Sequence, residues 1–286
     1  GAYYFHQIPG CTDELACNYN SDANIDDDSC DYACHDNGDY SLSFDGVDDE
    51  VRLNSEIGNI SDGSVMFKLK YSGPDYEDSG RIIMNKGENG VHWAFGVGNG
   101  SFAGNGPGID GNHLALSYVA IDGEGSDGNN WDYLYYGPIV TNEWYDITFT
   151  RNNQTGNIKL YIDGILVDEK NNSTPEVSII NNSDLVIGTN SNGSLGFEGN
   201  VDKLHIWDMV LTQSEIETYI STSPTGDGEG LLGYWNFNAG EGDILYDHSG
   251  NLNHGTIYGA EWVGNIEGCM DELACNYNSE ANTDDD

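Results

Sequence analysis

The stretch "NEWYDITFTRNNQTGNIKLYIDGILVDEK", residues 142–170, decides the fold of this chain. Apolar and polar residues alternate through its first part and again through its second, and a period of two indicates β-strands with one buried face. Asp163-Gly164 interrupts the second run, and Asp-Gly favours the type I′ turn whose twist matches antiparallel strands. The stretch therefore predicts three strands, of which the last two form a tight hairpin.

The same alternation recurs on both sides of this stretch, and one segment breaks it. In "TQSEIETYI", Thr212 and Glu215 have the spacing of a capping box, and Ile216 and Ile220 share a helical face. Many short strands with one short helix indicate an antiparallel sandwich of about 225 residues, which is one domain. The further strand-like runs are "YSLSFDG" (40–46), "VRLNS" (51–55), "SVMFKLKYSG" (64–73), "DLVIGTN" (184–190), "GNVDKLHIWDMVL" (199–211), "GLLGYWNFN" (230–238) and "HGTIYGAEWV" (254–263).

A near-repeat stands at the two ends of the chain. "GCTDELACNYNSDANIDDD" at residues 10–28 and "GCMDELACNYNSEANTDDD" at residues 268–286 are identical at 16 of 19 positions. Only the first copy runs on into "SCDYAC". We therefore divide the chain into an extended segment (1–9), a Cys/Asp-rich module (10–38), the sandwich (39–265) and an incomplete second copy of the module (266–286).

All six cysteines lie in these two copies, and the long middle has none. Their intervals lack the C-x2-C and His pattern of zinc sites, so disulfides in an oxidising, extracellular or cell-surface setting are expected. The cysteines are Cys11, Cys17, Cys30, Cys34, Cys269 and Cys275.

Acidic residues dominate the charge: 49 Asp and Glu against nine Lys and Arg give a formal net charge of −40. Such a field repels nucleic acid and anionic membranes. Apolar runs also fall short of the ~18–20 residues that span a bilayer. We expect neither nucleic-acid binding nor membrane insertion.

Both copies of the repeat place oxygen-bearing side chains at every second position, as a hard cation requires of one tight loop. We expect calcium there, and the alternative is a solvated acidic turn. The candidate ligands are Asp22, Asn24, Asp26 and Asp28 in the first copy, and Glu280, Asn282, Asp284 and Asp286 in the second.

Catalytic signatures are absent from the sequence. There is no E-x-D-x-E strand, no G-x-S-x-G and no H-E-x-x-H, and Glu198 and Asp202 stand four residues apart. His205 alternates with Leu204 and Ile206 on a strand, so we expect it to face solvent or to satisfy a local bond. The sequence predicts a protein that is not an enzyme.

The run "WDYLYY", residues 131–136, carries the aromatic candidates for sugar binding. On a strand, Trp131, Tyr133 and Tyr135 share one face, and Leu134 and Tyr136 share the other. Three aromatic rings on one face form either a glycan platform or part of the core.

Four stretches of the middle region resemble laminin G-like domains of the concanavalin A-like jelly-roll superfamily, in the branch found in microbial surface proteins. The resemblance implies an all-β jelly-roll sandwich whose relatives bind glycans through a concave sheet or a calcium rim. It also implies Asp45 and Asp202 as candidate ligands of a calcium ion in the domain. The stretches are "LSFDGVDDEVRL" (42–53), "NEWYDITFTRNNQTGNIKLYIDGILV" (142–167), "FEGNVDKLHIWDMVLTQSEIETY" (197–219) and "GLLGYWNFNAGEGDILYDHSGNLNHGTIYGAEW" (230–262).

The flanking copies resemble a short cysteine- and aspartate-rich repeat of secreted proteins from marine microbes. The resemblance implies the disulfides Cys11–Cys30 and Cys17–Cys34. On the same register Cys269 and Cys275 lack partners. Three answers stay open: the chain is part of a longer tandem protein, the two cysteines pair with each other, or another subunit supplies their partners.

Two functions are compatible with these features. The first is an extracellular structural or adhesive protein, braced by calcium and disulfides, that joins copies of itself head to tail or neighbouring repeats of a longer chain into a filament or array. The second is a calcium-dependent carbohydrate-binding module. Asn-x-Ser/Thr sequons, which mark candidate N-glycosylation sites, occur at Asn59, Asn99, Asn153, Asn171, Asn172, Asn181 and Asn192.

Overall fold

The computed structural model describes residues 6–74, 80–88, 91–98, 112–119, 131–171, 181–226, 228–270, 272–279 and 281–283. For residues 88, 91, 92, 117–119, 131 and 132 it describes the backbone alone. In this part of the chain, no helix is both long enough and apolar enough to cross a membrane.

Two antiparallel sheets of eight strands each form the sandwich, which confirms the predicted all-β jelly-roll class. Sheet I has the order β10-β9-β8-β3-β12-β1-β16, with β13 also paired to β12. Its strands are β1 (Tyr40–Asp45), β3 (Gly63–Tyr71), β8 (Trp144–Asn152), β9 (Asn157–Ile162), β10 (Ile165–Lys170), β12 (Glu198–Trp207), β13 (Leu231–Trp235) and β16 (Glu261–Gly264).

Sheet II has the order β14-β15-β2-β11-β4-β5-β6-β7. Its strands are β2 (Glu50–Leu53), β4 (Arg81–Glu88), β5 (Val91–Gly98), β6 (His113–Val119), β7 (Trp131–Tyr136), β11 (Leu185–Ile187), β14 (Ile244–Leu245) and β15 (Gly255–Tyr258). The inner faces of the two sheets enclose one apolar core, in which Phe67 meets Phe95 edge to face at 4.9 Å.

The hairpin predicted from Asp163-Gly164 is present between β9 and β10. Both turn residues have positive φ, 50° at Asp163 and 74° at Gly164, as a type I′ turn requires. Ile162 and Ile165 face each other directly across the turn. The local chemistry of two residues therefore sets the register of this edge of sheet I.

Helix α1 (Gln213–Ser221) begins at the predicted capping box. The hydroxyl of Thr212 accepts from the backbone N–H of Glu215, and the Glu215 carboxylate accepts from that of Thr212. Ile216 is fully buried in a second cluster, with Tyr161 and Trp207. The helix thus covers part of the outer face of sheet I.

Candidate functional site

The N-terminal module contains two disulfides, Cys11–Cys30 and Cys17–Cys34, which is the pairing implied by the resemblance. The module docks on the sandwich beside β14 and β15. His35 stacks on Tyr246 with ring centroids 3.7 Å apart. These contacts give the module a defined orientation on the sandwich.

A carboxylate at the centre of this contact accepts two side-chain hydrogen bonds. Asp13 Oδ2 lies 2.9 Å from His254 Nε2 and 2.5 Å from the hydroxyl of Tyr32, which donates to it. Burial acts to raise the pKa of Asp13, but hydrogen bonds from Tyr32, Leu15 and His254 outweigh it and lower that pKa. Asp13 is therefore ionised at neutral pH and joins the module to the sandwich.

The second copy of the repeat has most of the backbone hydrogen bonds of the first, at an offset of 258 residues, although Cys269 and Cys275 carry no disulfide. The repeat therefore adopts this loop without its disulfides. The matched pairs are Gly10–Ile25 with Gly268–Thr283, Asn20–Cys11 with Asn278–Cys269, Ala23–Asn20 with Ala281–Asn278, and Asn24–Ile8 with Asn282–Ile266.

The two copies differ in what covers them. Leu15 is 37% exposed, whereas its counterpart Leu273 is 94% exposed. Cys11 is buried in a cluster with Tyr32, whereas Cys269 is only partly buried. Residues 29–35 and the sandwich cover this part of the first copy. The second copy contacts the sandwich elsewhere, through Asn282 with Lys70 and Thr283 with Trp144.

Asn24, one of the predicted calcium ligands, has a structural role in the loop. Its Oδ1 accepts from the backbone N–H of Ile8 at 3.0 Å, and its Nδ2 donates to the carbonyl of His6 at 2.9 Å. Asn282 repeats both bonds, to Ile266 and Gly264. The asparagine side chain therefore closes the loop onto the preceding segment.

The other candidate ligands of the loops are not gathered into one site. Among the described residues, Asp22, Asp26 and Asp28 do not form a group with carboxylate oxygens within 4.8 Å of one another. Asp26 instead accepts from the hydroxyl of Thr12 at 2.8 Å and from the N–H of Asp28 at 2.9 Å. Glu280, Asp284 and Asp286 lie outside the described residues.

Asp45 lies in a different acidic cluster, at the turn from β1 to β2. Carboxylate oxygens of Asp45, Asp48 and Asp49 lie within 4.8 Å of one another. Asp49 is 9% exposed, and burial followed by the charges of Asp45, Asp48 and Glu261 raises its pKa. A Cβ at position 259 would lie only 2.2 Å from Asp49 Oδ1, so Gly259 makes the space that this carboxylate occupies.

Asp202, which the resemblance groups with Asp45, does not join this cluster. Asp45 faces Glu198 across β1 and β12, and four further residues along a strand span about 13 Å. Asp202 is 3% exposed, its Oδ1 has no partner among the described residues, and burial raises its pKa to about 7. The same spacing exceeds the ~5–9.5 Å between the paired carboxyl groups of glycosidases, so Glu198 and Asp202 do not form such a pair.

The expectation that His205 faces solvent or satisfies a local bond is wrong. A bulge between Asp202 and His205, with Lys203 at φ 51°, places both side chains on the outer face of sheet I. That face is covered here, because β13 pairs with β12 and the ring of Tyr234 packs edge-on against His205 at 4.8 Å. His205 is 2% exposed with no hydrogen-bond partner among the described residues, and burial lowers its pKa to about 3.

The aromatic candidates lie on β7, at the edge of sheet II. Leu134 is buried and Tyr136 packs against the core, whereas Tyr133 and Tyr135 are half-buried on the outer face. The rings of Tyr133 and Tyr135 stack with centroids 5.8 Å apart and planes inclined by 20°. The side chain of Trp131 lies outside the described part of the structure.

Tyr135 makes a hydrogen bond to sheet I and has small residues beside it in sheet II. Its backbone N–H donates to Asp168 Oδ2 of β10 at 2.9 Å, which ties the edge of sheet II to the edge of sheet I. Small residues stand next to it in register: Ala115 faces Tyr135, and Gly96 faces Ala115. The residues beside Tyr135 on the two neighbouring strands are therefore small.

Two of the described sequon asparagines are exposed, Asn171 and Asn192. Asn59, Asn153 and Asn181 are partly buried, and their side chains hydrogen-bond within the protein. Asn99 and Asn172 lie outside the described residues.

Comparison with known proteins places this geometry in a family. Residues 44–217 match the family model described as the concanavalin A-like lectin/glucanases superfamily, laminin G type. No curated protein matches the chain.

Three solved structures are among those similar to this chain. A candidate carbohydrate-binding protein from Bacteroides ovatus is 19% identical over 86% of this chain and 65% of its own, with a TM-score of 0.59. The chain thus spans about two thirds of that protein. A heptameric pentraxin from Limulus polyphemus is 16% identical over 63% of this chain and 81% of its own, with a TM-score of 0.46. The binding domain of botulinum neurotoxin serotype D is 17% identical over 63% of this chain and 41% of its own, with a TM-score of 0.48.

The family match covers most of the sandwich, from the end of β1 into α1, and more than half of the chain. The chain belongs to the concanavalin A-like lectin/glucanase superfamily.

Proposed function

We propose that this chain is a non-catalytic, extracellular carbohydrate-binding module whose platform is the stacked pair Tyr133 and Tyr135. The observation that carries the proposal is the pair itself: two stacked rings, inclined by 20° and partly buried, on the outer face of a sheet edge. The face of a sugar ring is apolar, and flat aromatic side chains with few rotatable bonds bind such faces at low entropic cost. The Bacteroides protein of similar fold is itself a candidate carbohydrate-binding protein, which supports the proposal of carbohydrate binding.

Charge favours uncharged glycans at this platform. Burial raises the pKa of Tyr133 to about 12 and that of Tyr135 further, so both phenols are neutral at pH 7. The net charge of −40 repels sulfated or uronic polymers at low salt. We therefore expect neutral oligosaccharides to bind best.

A glycan array tests the proposal. The wild-type protein is compared with Tyr133→Ala/Tyr135→Ala, and Tyr258→Ala removes a tyrosine that is 50% exposed elsewhere on sheet II. We expect selective signals on neutral oligosaccharides that the double variant loses and the control keeps. Equal signals from the wild type and the double variant would remove the platform from the proposal.

We also propose that calcium binds at Asp45, Asp48 and Asp49. Three carboxylates within 4.8 Å repel one another unless a cation lies between them, and oxygen ligands suit calcium. Strand β2 lies five strands from β7, about 24 Å, so this calcium would stabilise the β1–β2 turn rather than contact a ligand on the tyrosine platform.

A second candidate function, the joining of modules, is favoured by the folded second copy and by its exposed Leu273. Its hydrogen bonds match those of the first copy, and its cysteines are free. We propose that it accepts a segment of the form Cys-x3-Cys with free thiols from a neighbouring repeat, since residues 30–34 of another copy are already paired with Cys11 and Cys17. Such joints would build the structural or adhesive array that the sequence suggests.

Joining is an oxidation that needs a co-reactant. Each disulfide forms from two thiols, which lose two electrons and two protons to a small-molecule disulfide such as oxidised glutathione, giving two molecules of reduced glutathione. Cys269 would pair with the first cysteine of the segment and Cys275 with the second, as Cys11 and Cys17 do.

A synthetic peptide with the sequence of residues 29–35, SCDYACH, tests the acceptor in a glutathione redox buffer. We expect peptide mass spectrometry to find the two pairings in this register, and a scrambled peptide to give mixtures. Pairing of Cys269 with Cys275, or equal capture of both peptides, would overturn the acceptor proposal and leave carbohydrate binding untouched.

A further inference from the structure

A cleft of about 420 Å³ opens on the outer face of sheet I, away from the tyrosine platform. Strands β8, β9 and β10 form one wall, and residues 210–213, which lead into α1, form the other. Buried Tyr161 and Leu211 line its inner end, and Leu166, 40% exposed, stands at its rim. Its volume lies within the ~300–1,000 Å³ of small-molecule sites.

The lining of the cleft mixes apolar side chains with amides and hydroxyls. It carries no carboxylate, although Glu215 and Glu217 accept hydrogen bonds from Thr212 and Gln213 of the lining. Amides and hydroxyls supply most of its polar atoms. Asn157 Oδ1 is buried and has no hydrogen-bond partner among the described residues, while its Nδ2 donates to Asn171. A buried acceptor without a donor is unfavourable, and a donor from a bound molecule would satisfy it.

Donors line the cleft as well. Asn152 Oδ1 accepts from the N–H and the hydroxyl of Thr155, which fixes the side chain and leaves its amide hydrogens for a ligand. The one cation in the lining, Lys159, lies 4.0 Å from the Glu169 carboxylate, so its charge is balanced. Fixed amides around an apolar floor match a molecule rich in hydroxyl groups and without net charge.

We propose that this cleft is a second binding site, for one or two units of a neutral saccharide. The platform lies on sheet II and the cleft on the outer face of sheet I, and the two sheets adjoin where Tyr135 donates to Asp168 of β10. A module with two such sites on different sheets would bridge two glycan chains and gain avidity. The inference does not depend on the tyrosine platform.

Two tryptophan substitutions on β10 distinguish the effect of blocking the cleft from a general effect on the β9–β10 hairpin. Leu166→Trp fills the rim of the cleft without removing any polar contact described above. Ile165→Trp is the matched control, since the neighbouring side chain points to the other face of the strand and is 68% exposed. Both proteins are produced in a bacterial host, so that Asn153 and Asn171 stay unmodified, and circular dichroism checks their folding.

Titration calorimetry with maltose, cellobiose and lactose measures the site. We expect at least one disaccharide to bind, Leu166→Trp to weaken it at least about tenfold, and Ile165→Trp to change it less than about twofold. Equal affinity of the wild type and Leu166→Trp, or no binding of any of the three below about 10 mM, would overturn the inference.

The tyrosine variant keeps the two sites distinguishable. If Tyr133→Ala/Tyr135→Ala still binds the disaccharide and Leu166→Trp does not, the cleft is the binding site. That result does not depend on whether the platform binds sugar. If the double variant alone loses binding, the cleft inference fails and the platform proposal survives.

Discussion

His254 Nε2 lies 2.9 Å from Oδ2 of Asp13, across 241 residues of sequence. The other ring nitrogen, Nδ1, accepts from the backbone N–H of Asp247 at 2.9 Å, so Nε2 carries the proton and donates to the carboxylate. This bond holds the disulfide-braced module against the loop between β14 and β15.

Removal of the imidazole should loosen the module. His254→Ala deprives a partly buried carboxylate of one donor, and we expect a loss of roughly 1–3 kcal/mol of unfolding free energy. Amide hydrogen exchange within residues 11–34 should accelerate, while the strands of sheet I keep their protection. Unchanged exchange in the module would show that the stacking of His35 on Tyr246 suffices.

Asp202 should make stability fall as the pH rises. Burial raises its folded-state pKa from 3.8 to about 7. Between these pH values the unfolded chain releases a proton that the folded chain retains, so the free energy of unfolding decreases as the pH rises. Above about pH 7 the loss stays constant, at no more than about 4 kcal/mol. Urea unfolding of Asp202→Asn and wild type at pH 5 and pH 8 should show a larger stabilisation at pH 8. An equal difference at both pH values would contradict this assignment.

Calcium should reverse the effect of Asp49→Asn on the thermal stability of the protein relative to the wild type. Without calcium the substitution removes like-charge repulsion, so thermal stability should stay equal or rise. At about 100 times its dissociation constant, calcium should stabilise the wild type by about 2.7 kcal/mol and leave Asp49→Asn unaffected. Glu229→Gln, an exposed site, serves as the control. The same calcium response in Asp49→Asn would place the ion elsewhere.

The disulfide Cys11–Cys30 should stabilise the module without determining its backbone. Cys11→Ala/Cys30→Ala opens a loop of 19 residues, with an expected loss of about 3 kcal/mol. The second copy forms the same hydrogen bonds without disulfides, so the amides of Asn20 and Ala23 should keep measurable exchange protection. Complete loss of that protection would contradict the equivalence of the two copies.

Gly164→Ala should destabilise the hairpin that sets the edge of sheet I. Its φ of 74° is strained for any residue with a Cβ, and we expect a loss of about 1 kcal/mol in chemical denaturation. Gly264→Ala is the control, because that glycine has no positive φ and an added Cβ would meet its nearest neighbour at 3.7 Å. Equal losses in the two variants would remove the turn conformation as the cause.

Local patterns predicted the elements of the fold well. Asp163-Gly164 and the Thr212/Glu215 box depend on neighbouring residues, so the sequence contains all the information that the turn and the helix start require. The alternation of side chains along β7 likewise predicted that Leu134 points to the core and that Tyr133 and Tyr135 lie on the other face.

What the sequence left open depends on contacts between distant segments. The burial of His205 follows from a bulge and from Tyr234 on another strand. The alternation of apolar and polar residues in the sequence reveals neither of them. The cleft joins residues of β8–β10 to residues 210–213, and the buried Oδ1 of Asn157, without a partner among the described residues, has no sequence signature. The grouping of Asp45 with Asp49 rather than Asp202 depends on how the β1–β2 turn closes.

The tyrosine ring signals of the protein test the central proposal most directly. In protein labelled with ring-¹³C tyrosine, Tyr→Phe variants assign Tyr133, Tyr135 and Tyr161 among the 18 tyrosines. On titration with the strongest oligosaccharide from the array, stacking of sugar on the platform should shift the ring signals of Tyr133 and Tyr135. A bound oligosaccharide that leaves both unshifted would contradict the platform, and a shift of Tyr161 alone would assign the binding to the cleft.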